Sequence, residues 1–106
     1  MKNLGYAVTF LVLLAAPQNV QAERLKLLEL RYFTGRGAVN GLGYLPGCLA
    51  NTEYCSFICD NGQFTEPPNS RGITKTCYAR WRCGEGPSEE DNWIEGAHIN
   101  IDCRGK

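Results

Sequence analysis

The chain has 106 residues, eleven basic against eleven acidic side chains, 43% hydrophobic residues, six cysteines and one histidine. Its neutral balance lacks the basic excess with which phosphate-contacting proteins hold nucleic acid, which argues against nucleic acid as a partner. At this length one domain is expected, burying only about 60% of its unfolded surface, so covalent staples are the usual support.

Lys2 precedes an apolar run, Ala7 to Ala16, of the length of a signal-peptide core. Val20 and Ala22 place small residues three and one positions before a cut after Ala22. The pattern predicts a signal peptide over residues 1–22 and a single secreted domain over residues 23–106. Loss of Lys2 leaves that domain with a net charge of minus one. The run is shorter than the roughly 20 residues a membrane helix needs, and no second one follows, so no membrane span is expected. Arg104-Gly105-Lys106 is polar and carries no lipid-anchor signal. A soluble, extracellular monomer is the expected product.

Glu23 to Phe33 fits two periods: Leu28, Leu30 and Tyr32 alternate as in a strand, while Leu25, Leu28 and Tyr32 share one side of a helix. The strand is the preferred reading. Thr34 to Gly47 holds five glycines and Pro46 and reads as a loop, with no Gly-Lys-Ser/Thr to make it a phosphate cradle. Asn51 or Thr52 can cap a short helix running to Asp60, with Asn61-Gly62 as its stop; Cys55, Ile58 and Cys59 then share a face. Gln63 to Gly72, with Pro67-Pro68, reads as loop. Thr74 to Cys83 alternates, putting Cys77, Ala79, Trp81 and Cys83 on one face and Thr76, Tyr78, Arg80 and Arg82 on the other. Gly84 to Asp91 reads as an acidic hairpin or loop. Ala97, Ile99, Ile101 and Cys103 then alternate inward, with His98, Asn100 and Asp102 outward.

The cysteines, Cys48, Cys55, Cys59, Cys77, Cys83 and Cys103, contain no C-x-x-C pair, and His98 stands alone, so disulfides are expected and no metal or other cofactor. On a helix Cys55 and Cys59 lie about 6 Å apart along the axis and point the same way, and on a strand Cys77 and Cys83 are about 20 Å apart. Neither pair is suited to closing on itself. The expected fold is therefore α+β: a short helix packed on a small antiparallel sheet, with Cys48, Cys55 and Cys59 each bridged to one of Cys77, Cys83 and Cys103. An all-β disulfide-rich mini-domain is the alternative.

With a helix backing the sheet, Tyr78, Arg80, Arg82, His98, Asn100 and Asp102 form one outward polar row, the candidate binding face. An enzymatic version uses Glu29 as base, Arg80 or Arg82 to stabilise phosphorane charge and His98 as proton donor. That set resembles the Glu, Arg and His on the open sheet face of small secreted fungal ribonucleases. The plain alternative is cross-strand pairing of ordinary surface charges. Tyr44 and Trp93 are further candidate contact anchors. The loop Thr65 to Ile73 would offer Arg71 to a trypsin-like pocket if the protein were a protease inhibitor.

In its leader, length, six cysteines and glycine-rich loops the chain resembles the small secreted cysteine-rich proteins of plant-colonising fungi known as effectors. The resemblance covers general design and transfers no residue. It implies a non-enzymatic, effector or toxin-like virulence factor that binds a host or competitor protein, with ribonuclease or protease-inhibitor activity as the alternatives.

Overall fold

The computed structural model describes residues 24–50 and 53–105. The predicted leader over residues 1–22, and the predicted helix caps Asn51 and Thr52, lie outside the described residues. Strand β1 (Leu25–Thr34) turns through Gly35 and Arg36 into β2 (Gly37–Asn40). A 3-10 turn (Leu42–Tyr44) and a four-residue helical turn, α1 (Pro46–Leu49), lead to β3 (Tyr54–Ile58). Strands β4 (Thr76–Cys83), β5 (Ser88–Ile94) and β6 (His98–Asp102) complete the fold. Two antiparallel sheets result, one in the order β2-β1-β4-β5 and one of β3 with β6. Among the described residues no helix is long and apolar enough to cross a membrane.

The inward face of the larger sheet supplies Leu25, Leu27, Leu30, Tyr32, Cys77, Ala79 and Cys83 to the core. The small sheet supplies Cys55, Phe57, Ile99 and Ile101, and all belong to one buried cluster. The period of β1 is ambiguous because Leu28 is a bulge: Leu27 pairs with Trp81 and Glu29 with Arg80, so one residue of β1 has no partner. Inward positions therefore shift from Leu25 and Leu27 to Leu30 and Tyr32. Such a phase change in a strand imitates helical spacing over a short window.

The expected helix from residue 51 to Asp60 is instead β3. Cys55 and Cys59 fit either period, and Phe57 decides between them. It is 5% exposed while Ile58 is 36% exposed, as a strand requires and a helix burying Cys55, Ile58 and Cys59 would not allow. The small sheet thus occupies the place expected for a helix, and the fold is more all-β than α+β. The expected loop over Thr34 to Gly47 contains β2, and the expected acidic hairpin or loop over Gly84 to Asp91 is the hairpin joining β4 to β5, with β5 starting at Ser88. Residues Ser88 to Asn92 are exposed on both faces, so β5 shows no alternation to read from sequence.

Three disulfides close the domain: Cys48–Cys55, Cys59–Cys77 and Cys83–Cys103. Only Cys59–Cys77 follows the expected rule of one partner from each half of the chain. Cys48, in α1, folds back on β3 to reach Cys55. The expectation that Cys55 and Cys59, or Cys77 and Cys83, do not pair with each other holds. Cys59–Cys77 joins the residue after β3 to β4, and Cys83–Cys103 joins β4 to the residue after β6, so β4 carries both ties between the sheets.

Gly37 is required where β2 meets the loop at Pro68: a Cβ there would collide with the Pro68 carbonyl oxygen. That loop is held by Ser70, whose buried hydroxyl donates to the Pro67 carbonyl at 2.6 Å. Lys75, only 4% exposed, donates through Nζ to Glu66 at 3.2 Å, and its backbone N–H donates to Glu95 at 2.8 Å. The buried Tyr32 hydroxyl donates to Asn61 Oδ1 at 2.6 Å. Burial, and then the Glu95 charge, hold that hydroxyl protonated well above its ordinary range.

Candidate functional site

The outer face of the larger sheet carries a polar network built by strand register. Arg80 faces Glu29 on β1 and Glu90 on β5, while Tyr78 faces Arg31 and Asn92. Glu29 lies between two cations, 3.2 Å from Arg31 Nε and 3.6 Å from Arg80 Nε. The Arg31 guanidinium sits 4.8 Å from the Tyr78 ring centroid and 5.3 Å from that of Phe33. Tyr78 donates its hydroxyl proton to Glu90 at 2.6 Å, and that bond to a carboxylate is the main cause of its raised pKa. Exposed pairs of this kind, screened by solvent, contribute little to stability. Arg82 is left out of the network, and its Nε is buried without a partner among the described residues.

His98, Asn100 and Asp102 point away from the core on β6, in the other sheet. Each sheet turns its inner face to the same core, so the two outward rows lie on opposite faces of the molecule. The six residues expected as one row are two groups of three. Glu29 meets Arg80, and His98 does not join them; its neighbours are Ile58, Ile99, Asn100 and Gln63.

The outer face of the small sheet holds a shallow, largely uncharged groove made of two depressions that share Ser56 and Gln63. One, of about 460 Å³, is lined by Tyr44, Tyr54 and α1, and the other, of about 440 Å³, by Ile58, His98 and Asn100. Three of the five exposed large hydrophobic side chains among the described residues, Tyr44, Tyr54 and Ile58, lie along it. Tyr44 is fixed edge-on to Phe64, and its hydroxyl shares a 2.7 Å hydrogen bond with Thr65. Ser56 donates to Asn100 Oδ1 at 3.0 Å across the two strands. At one end Arg104 stacks 4.3 Å from the Tyr54 centroid and donates to both Asp102 oxygens at 2.9 Å. No protein-family model, curated protein or solved structure matches this chain.

Sequence reasoning found Tyr44, His98, Asn100 and Asp102 but missed Tyr54, Ser56, Ile58 and Gln63. The helix reading hid them; the alternation of Cys55, Phe57 and Cys59 is the signal that exposes Tyr54, Ser56 and Ile58. Trp93 is not a free anchor, since it is half-buried and stacks on Trp81 at 6.3 Å. Arg71 is exposed, but it occupies a tight turn in which Ile73 donates to the Ser70 carbonyl at 2.9 Å and Gly72 has φ +77°. A protease cleft accepts an extended segment, and the chain at Arg71 is turned.

The Arg104 side-chain and backbone donors hold the Asp102 carboxyl down to about 2. A depressed carboxylate stabilises the fold above its unfolded pKa, and the contribution disappears as pH falls through the folded value. Both groups are at the surface, so the effect on stability is small. In Arg104→Ala, NMR titration of the Asp102 carboxyl should give a midpoint shifted upward toward the ordinary aspartate value of about 3.9. An unchanged midpoint would mean that Arg104 does not hold this carboxylate in solution.

Proposed function

We propose that the protein is a secreted, non-enzymatic binding protein, of the effector or toxin-like kind, that engages another protein through the groove on the outer face of the small sheet. The observation that carries this reading is the gathering of Tyr44, Tyr54 and Ile58, exposed and set on disulfide-braced elements, along one groove. Rigid aromatic anchors with a partly apolar body and a polar tip are the side chains that dominate protein interfaces. Cys48–Cys55 fixes α1 against β3, so the two walls of the groove are held before binding and less ordering is lost on association.

Against a ribonuclease stands the separation of His98 from Glu29 and Arg80, since acid and base must both reach one phosphodiester. Against a protease inhibitor stands the turn at Arg71. The test uses the oxidised protein immobilised and exposed to extracellular fluid and cell extract of candidate hosts, beside a Tyr44→Ala/Tyr54→Ala variant and an Arg82→Ala control. One protein species should be retained by the wild type and the control, with affinity reduced about tenfold or more by the tyrosine pair. RNA cleavage abolished by His98→Ala in a folded protein would contradict the reading. So would a partner held equally well without the two tyrosines.

A further inference from the structure

A second surface lies away from the groove, at the free edge of the larger sheet. We propose that β5 is a docking strand for an extended basic segment of another protein, added to the sheet as a fifth strand. The proposal goes beyond the groove and shares with the preceding reading only the premise that the partner is a protein.

Among the described residues, strand β5 pairs with β4 alone and ends the sheet. In an antiparallel pair, alternate residues send their N–H and C=O to the neighbour and the residues between send theirs outward. The phase follows from two contacts: Glu95 donates its N–H to Lys75 in continuation of the β4 ladder, whereas Asn92 donates to the Asp91 carboxylate, its own neighbour, at 2.8 Å. Glu89, Asp91 and Trp93 are therefore the bonded positions, and Ser88, Glu90 and Asn92 turn their backbone groups to the open edge, as does the Ile94 N–H, while the Ile94 carbonyl accepts from Ala97 at 3.1 Å. The opposite edge is different. There β2 has only four residues, and the Pro68 carbonyl lies close against Gly37.

Side chains along β5 specify the occupant. Glu89, Glu90 and Asp91 are consecutive and exposed, followed by Asn92, half-buried Trp93 and Ile94, which at 67% is the most exposed of the large hydrophobics. A second copy of this chain pairing antiparallel through β5 would set carboxylates against carboxylates, which is destabilising. A complementary antiparallel strand reads, from its N-terminus, two apolar β-branched residues opposite Ile94 and Trp93, a small polar residue opposite Asn92, then three basic residues opposite Asp91, Glu90 and Glu89. Backbone hydrogen bonds supply affinity in this mode and the flanking side chains supply register.

The probe is the acetylated and amidated peptide Thr-Val-Val-Thr-Lys-Arg-Lys-Thr, titrated into the oxidised protein, with a scrambled peptide of equal composition as control. Binding should slow amide exchange at Glu90, Asn92 and Ile94, and the scrambled peptide should bind about tenfold or more weakly. Asn92→Pro removes an outward N–H that β4 does not use and should lower affinity about tenfold or more; edge positions of this kind tolerate proline. A combined Glu89→Gln/Glu90→Gln/Asp91→Asn variant, which alters no backbone group, should lose a similar factor and flatten the salt dependence. Tyr44→Ala/Tyr54→Ala should bind the peptide as the wild type does, so failure at this edge is distinguishable from failure of the groove. Equal binding of the scrambled peptide, unchanged exchange at the three amides, or full affinity in either β5 variant would overturn the proposal.

Discussion

Replacing Cys59 and Cys77 together by alanine should lower the unfolding free energy by about 3 kcal/mol, a large fraction of the 5 to 15 kcal/mol of an ordinary domain. The bond closes a separation of 18 residues and ties the small sheet to β4. Chain entropy alone assigns it more than Cys48–Cys55, which closes a separation of 7 and is expected to cost about 2 kcal/mol when removed. The position of the bond matters as well. Cys59 and Cys77 are fully buried among the residues that join the two sheets, so their loss also removes packed sulfur from the core. Urea unfolding of the two double variants, with the denaturant slopes compared, gives both numbers. A Cys59/Cys77 variant as stable as the wild type would mean that the sheets hold together without this tie.

The bulge at Leu28 supplies the second large effect. Leu30→Ala should destabilise by about 2 to 5 kcal/mol, because Leu30 is 1% exposed and its removal leaves a cavity beneath Phe64 and Gly41. Leu28→Ala should cost under about 1 kcal/mol, since the bulge residue is only half-buried and packs on one side. Plain alternation from Leu28 through Leu30 to Tyr32 makes the first two equivalent core residues. Equal losses in the two variants, measured by the same unfolding experiment, would therefore rule out the register in which Glu29 faces Arg80.

What could be read from sequence follows how each element is buried. Strands β4 and β6 each have one face on the core and one toward solvent, and their alternation was legible, though β4 begins at Thr76 rather than Thr74. Strand β5 is exposed on both faces, and β1 changes phase at its bulge, so neither presents a single period. In β3 and the residue after it, two cysteines four residues apart satisfy helix and strand alike, and Phe57 was the residue that discriminated. Reading it as helix had two consequences: it put the wrong element behind the sheet, and it placed His98 beside Arg80. Once a second sheet stands there, β6 belongs to that sheet and its polar row faces the opposite way. The candidate site was thus half legible: Tyr44, His98, Asn100 and Asp102 were visible, while the wall formed by Tyr54, Ser56 and Ile58 depended on the element that was misread.

The same geometry separates surface chemistry into two kinds. On the larger sheet, charges neutralise one another across strands, with Glu29 between Arg31 and Arg80 and Tyr78 bonded to Glu90. Along the small sheet, the exposed groups are aromatic, aliphatic, amide and hydroxyl, and the Asp102–Arg104 pair closes one end. The first arrangement satisfies itself across the face of the sheet and leaves only the acidic edge along β5 to a ligand. The second leaves apolar surface exposed, which a binding partner would cover.

The two-sheet architecture, on which the separation of His98 from Glu29 and Arg80 depends, is tested most directly by mapping the disulfides. Mass spectrometry of the unreduced protein, cleaved after Leu49 or Tyr54, after Phe57, after Arg71, Lys75 and Arg80, and after Trp93, should recover Cys48 with Cys55, Cys59 with Cys77 and Cys83 with Cys103. A bond from Cys48 or Cys55 to Cys77, Cys83 or Cys103, or a free thiol in the folded protein, would contradict the account.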